Sequence, residues 1–208
     1  MTSRKSHATA AIPLLALLVA ILFIALTASS MITTETIDSE EEFEQYLNDT
    51  LDEITTYLKI QDAYGKYTTT SPPKLTQIAI LLSPLFHNTI NISQWIVQIQ
   101  STNTLLIQTY NFSSAALGSN TVFDHPIWND LQINTFGIIS IFDPDASLDK
   151  YHSFSDTTDQ AFLIIKLDEN QALSKGEHVI ISLTPGTGVK KTIEFKAPLP
   201  TKSIVTLI

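Results

Sequence analysis

Hydrophobic and polar positions along this chain fall into three regimes. From Ala8 to Ile32 no charged residue occurs, and "AAIPLLALLVAILFIALTASSMI" is one nearly continuous apolar run. At about 1.5 Å of rise per residue, a helix of roughly 25 residues reaches about 37 Å, enough to cross a bilayer. In the second regime, "DSEEEFEQYLNDTLDEITTYLKI", the apolar positions Phe43, Leu47, Leu51, Ile54 and Leu58 recur at helical spacing. Pro13 sits near the start of the apolar run, where a missing N–H costs little, and Ser39 with Glu42 forms a capping-box pattern. The pattern therefore predicts a long N-terminal helix over residues 7–64, apolar over 8–32 and amphipathic over 38–60, with a break near 33–39.

The third regime begins after "YGKYTTTSPPK", where Gly65 and Pro72–Pro73 mark a turn-rich boundary. Beyond it the period shortens to β-like runs bounded by Ser, Thr, Asn, Gly and Pro: 75–82, 94–100, 105–110, 137–142, 160–167, 178–184, 189–196 and 203–207. Trp95, Val97 and Ile99 alternate onto one face, and a polar turn at Ser101–Thr104 makes "WIVQIQSTNTLLIQTY" a hairpin. "HVIISLTPGTGVKKTIEF" repeats the device, the glycines of "PGTG" supplying backbone angles that other residues adopt only with strain. The fold class expected is α+β: a long hydrophobic helix, then an antiparallel β-sandwich over residues 68–208.

Composition narrows what such a chain can do. With Lys+Arg 12 against Asp+Glu 21 and a net charge of −9, it lacks the clustered cations that phosphate backbones require, so nucleic acid is not an expected partner. No cysteine occurs, which removes disulfides, thiolate nucleophiles and Cys-based zinc sites. His7, His87, His125, His152 and His178 are scattered and form no metal or catalytic motif, so no enzyme activity is expected.

The apolar run could be read as a secretion signal, with "ALTASS" as its cleavage site. Its length, and the helical pattern continuing behind it, favour a retained segment. Arg4 and Lys5 before it and the acidic stretch Glu35 to Glu44 after it place the amino end in the cytoplasm and the rest outside. Ala16 and Ala20, like Ala25 and Ser29, lie one turn apart and would let neighbouring helices approach closely.

The order of parts resembles a family. A short basic leader "SRKS", an uncharged helical run, a continuation ending in "LKIQDAYGKY" and the ending "LSKGEHVIISLTPGTGVKKTIEFKAPLPTKSIVTL" are similar to those of archaeal flagellins (archaellins) and related archaellum proteins of the type IV pilin-like superfamily. The resemblance implies that a prepilin-type signal peptidase removes a leader, residues 1–6, and that the helices bundle into a filament core. It also implies that the sandwich is immunoglobulin-like and forms the outer surface. Cleavage is expected between Ser6 and His7, behind Arg4 and Lys5 and ahead of the apolar run.

Two kinds of site remain. "DPDASLD" sets Asp143, Asp145 and Asp149 at alternate positions, offering oxygen ligands of the sort calcium takes, although Asp and Ser equally build ordinary solvated turns. Sequons occur at Asn48, Asn91 and Asn111; Asn48 lies within the predicted helix, while Asn91 and Asn111 border strands. The leading functional reading is a subunit that polymerises into a surface filament. The alternatives are an anchored accessory or stator protein of the archaellum base and a tethered β-sandwich adhesion domain.

Overall fold

The computed structural model describes Tyr46 and residues 57–208, apart from residues 103 and 187. The apolar run, the proposed leader with Ser6 and His7, the packing positions Ala16, Ala20, Ala25 and Ser29, and Asn48 lie outside the described residues. Among the described residues, no helix is long and apolar enough to cross a membrane.

The body is built from eleven strands: β1 (Leu58–Tyr67), β2 (Leu75–Pro84), β3 (Ile90–Asn91), β4 (Ile96–Ser101), β5 (Leu105–Ala116), β6 (Thr135–Phe142), β7 (Ser153–Phe154), β8 (Gln160–Lys166), β9 (His178–Thr184), β10 (Lys191–Lys196) and β11 (Ile204–Thr206). Nine form one sheet in the order β10-β9-β4-β5-β6-β8-β2-β1-β11, and β3 pairs with β7 separately. Both expected hairpins are present. β4 and β5 pair antiparallel around a turn closed by Ser101 N–H donating to Thr104 O at 2.8 Å, and β9 and β10 pair antiparallel around the "PGTG" turn. In that turn Gly188 has φ of 100°, which a side chain would strain. Gly186 is needed for another reason, since a Cβ there would lie 2.6 Å from Gln94 Cβ.

The sheet curls over itself. Residues from near opposite ends, Ile193 and Phe195 of β10 and Ala63 and Tyr67 of β1, belong to one buried cluster with Ile80, Trp95, Ile138 and Leu163. Tyr67 Oη donates to Pro198 O at 2.6 Å, tying β1 to the segment just behind β10. Trp95 stacks on Phe154 inside this core, with ring centroids 6.1 Å apart.

A second apolar cluster lies on the other face of the sheet. β5 and β6 are parallel, so the chain must cross over between them, and the connection is used to cover Ala79, Ile139 and Ile164 with Phe123, Ile127, Trp128 and Leu131. Trp128 and Phe123 stack at 5.9 Å, and Trp128 Nε1 donates to Val122 O at 2.7 Å. Strands β2, β6 and β8 are thereby buried on both faces. This is why "IAILL", "GIIS" and "FLII" read as continuous apolar runs instead of alternating.

Three expectations need correction. The helical pattern does not extend to residue 64, because Leu58–Tyr67 is strand β1, so the β body starts ten residues before residue 68. A bulge between Ile60 and Asp62 shifts the inward positions from Leu58 to Ala63, Gly65 and Tyr67. That break in the two-residue period removes the alternation by which a strand is recognised. Second, the body is one curled, mixed sheet and not two wholly antiparallel ones, since β5 and β6 run parallel. Third, Asp149 stands apart from the acidic cluster that Asp143 and Asp145 join.

Candidate functional site

The acidic loop begins where β6 ends. Pro144 and the left-handed Ala146, with φ of 57°, turn the chain into a one-turn helix, Ser147–Lys150. Asp143 holds that helix: its Oδ1 accepts from Ser147 N–H at 2.9 Å and its Oδ2 from Leu148 N–H at 3.1 Å. Asp145 accepts from Ser147 N–H at 3.0 Å and from Ser155 Oγ at 2.8 Å. The third member comes from a different turn, just ahead of β8. Asp159 Oδ2 accepts from Ser155 N–H at 2.8 Å and Asp156 N–H at 3.0 Å.

One carboxylate oxygen from each of Asp143, Asp145 and Asp159 lies within 4.8 Å of the others. Asp149 is exposed on the one-turn helix and is not in this group. The sequence pattern thus locates two of the three residues, and the third is missed because it is close only through the fold. Asp159 is fully buried, and its Oδ1 has no hydrogen-bond partner among the described residues. A buried carboxylate with an unpaired oxygen and two further carboxyls close by is costly unless something positive balances it.

Electrostatics register the crowding. Burial first, then the neighbouring Asp145 carboxyl, pushes the Asp143 acid up from its ordinary value, with Asp159 adding repulsion. Asp145 goes the other way, down to about 2, chiefly because Ser155 donates to its ionised form. Hard oxygen donors converging from two turns fit a calcium-like cation. The residues that would hold it are Asp143, Asp145 and Asp159.

The sequons differ in surroundings. Asn91 is exposed and its Oδ1 accepts from Ser93 N–H at 2.8 Å, capping a short 3-10 turn. Asn111 is half-buried, and its Nδ2 donates to Ser113 Oγ at 3.1 Å and Asp130 O at 3.3 Å. The nitrogen a glycan would join is therefore already engaged at Asn111.

The described residues thus form a curled β body with a cluster of three carboxylates where two of its turns converge. In sequence and in fold the chain is similar to archaeal flagellins. It is 26% identical over 164 residues to flagellin B4 of Pyrococcus abyssi, a match that covers 72% of this chain and 74% of that one. The archaeal flagellin FlaB1 from Methanocaldococcus jannaschii has the same fold, with a TM-score of 0.64 at 19% identity over 72% of this chain and 95% of that one. The archaeal flagellum of Methanospirillum hungatei gives a TM-score of 0.61 at 13% identity, covering 98% and 99% of the two chains. No protein-family model matches the chain.

Proposed function

We propose that this chain is a structural subunit of an archaeal surface filament of the archaellum type, and that it performs no reaction. The observation carrying this reading is the similarity in sequence to a flagellin and in fold to an assembled flagellum, on a body with an apolar run ahead of it. The apolar run 8–32 anchors the subunit in the membrane, amino end in the cytoplasm, until a prepilin-type peptidase cuts between Ser6 and His7. It then packs in the filament core through Ala16, Ala20, Ala25 and Ser29. Close packing must decide that transfer, because lipid and a helical bundle are both apolar. Outside the cell, the loop of Asp143, Asp145 and Asp159 takes calcium, and Asn91 is the better placed of the described glycosylation candidates.

The test is direct. Filaments sheared from producing cells should contain this chain with His7 as its first residue, read by mass spectrometry. A chain found solely as a membrane-bound single species would favour the accessory reading, and a start beyond Ser30 would make the run an ordinary secretion signal.

A further inference from the structure

Among the described residues, the outer face of the curled sheet is only half covered. The β5–β6 crossover shields β2, β6 and β8, and its cover ends at β5, where Ala115 still packs beneath it. Beyond that line, among the described residues, the outward side of β5 and β4 is exposed, while on β9 Ser182 of the same side is buried. Register pairs Gln100 with both Leu105 and Ile180, and Gln98 with both Ile107 and Ser182, so these side chains form adjoining rows. Leu105 is 61% exposed, Ile107 59% and Ile96 45%.

The β4 and β5 part of this face is without charge, and charge returns at its β9–β10 margin, where His178 Nε2 lies 2.7 Å from Glu194 Oε1. β4 and β5 contain no Asp, Glu, Lys or Arg at any position, and β9 adds only His178 at its start. β1 carries Lys59, Asp62 and Lys66, and β10 carries Lys191, Glu194 and Lys196. Single exposed aliphatics are ordinary, but a flat group of them among amides and hydroxyls, with no charge to hold water, is what interface centres look like.

We propose that this β5–β4–β9 face is a contact surface whose occupant is a second copy of the same chain; the identity of the occupant rests on the filament reading above. The charge balance selects it. Copies with a net charge of −9 repel one another, and the uncharged β4–β5 part of this face is where they approach without placing like charges together. Three strands about 4.8 Å apart and three rows about 6.8 Å apart make a patch of roughly 300 Å². A stable pair needs nearer 800 Å² per partner, so the face holds copies together only where another contact has already aligned them. It is therefore an assembly surface that leaves free subunits single.

The absence of cysteine makes the test clean, because one introduced thiol is the only one present. Full-length chains carrying Ile107→Cys or, as a control elsewhere on the surface, Ile133→Cys are assembled and exposed to a maleimide, both as filaments and after dissociation. Ile133 is 56% exposed and lies outside this face. The expected result is that Ile107→Cys reacts about tenfold more slowly in filaments than in dissociated chains, as water exclusion at an interface centre requires, while Ile133→Cys reacts alike in both. Equal rates for Ile107→Cys in both states would overturn the proposal and leave the filament reading intact. Finding the wild-type chain missing from sheared filaments would overturn the filament reading and this choice of partner together. As a second arm, Leu105→Glu with Ile107→Glu should keep the thermal unfolding of the chain within a few degrees yet reduce filament yield severely. Wild-type yield and shear resistance from this pair would count against the proposal.

Discussion

Asp159 shows how much chemistry can rest on one buried oxygen. Its Oδ2 is used by the turn, its Oδ1 has no hydrogen-bond partner among the described residues, and one of its two oxygens lies within 4.8 Å of carboxylate oxygens of Asp143 and Asp145. With calcium at 100 times its dissociation constant, linkage would raise stability by about 2.7 kcal/mol. Asp159→Asn should remove most of the calcium-dependent rise in melting temperature, whereas Asp149→Asn should leave it in place; calorimetry in calcium and in chelator distinguishes them. A second residue-scale effect involves Asp124, which is held below the usual carboxylate range first by the Thr121 hydroxyl at 2.6 Å and then by Lys66 at 3.1 Å. A depressed folded value means that its contribution is present above the ordinary carboxylate range and is lost as pH falls through the folded value. Thr121→Val should therefore move the Asp124 titration upward towards its ordinary position, followed by NMR. At this scale the sequence was informative only about neighbours: alternate spacing made Asp143 and Asp145 legible. Asp159 lies fourteen positions beyond Asp145 and meets it only when two turns converge.

Elements were read best where one face alone is buried. β9 was delimited to the residue at 178–184, and the β4–β5 hairpin was placed through the alternation of Trp95, Val97 and Ile99. β1 escaped because its bulge interrupts the period just where the preceding helical spacing invites extrapolation through Leu58. β3 and β7, two residues each, are too short to show any period. The β5–β6 crossover was likewise unread, since its aromatic residues lie in single-turn pieces that carry no periodic signal. Its weight can nonetheless be measured. Trp128 is buried against Phe123, and its backbone oxygen also accepts from Lys166 Nζ at 2.8 Å. Trp128→Ala should cost about 3–5 kcal/mol in denaturant unfolding, the range for emptying a large aromatic site. The main core should survive, because its cluster lies on the opposite face of the sheet.

For the molecule as a whole, the boundary between units decides what can be studied apart. The contact pattern divides the chain at Thr50 and Leu51, and β1 belongs with the body. A fragment of residues 68–208 would lose a strand paired on both sides, to β2 and to β11, and would expose Ile78 and Ile80 of the core. A fragment of residues 51–208 should unfold cooperatively on heating, whereas one of 68–208 should be aggregated or give no sharp transition, as circular dichroism would show. The placement of β1 matters for another reason. It is the strand by which residues 1–56 are joined to the sheet, and it is not an edge. Its antiparallel bonds to β2 lie across the strand direction from Leu58 to Tyr67. A tug arriving along that strand therefore strains the whole row of bonds at once and cannot unzip them singly. A body pulled along the axis of β1 would carry the load in shear, the orientation in which a β ladder yields last.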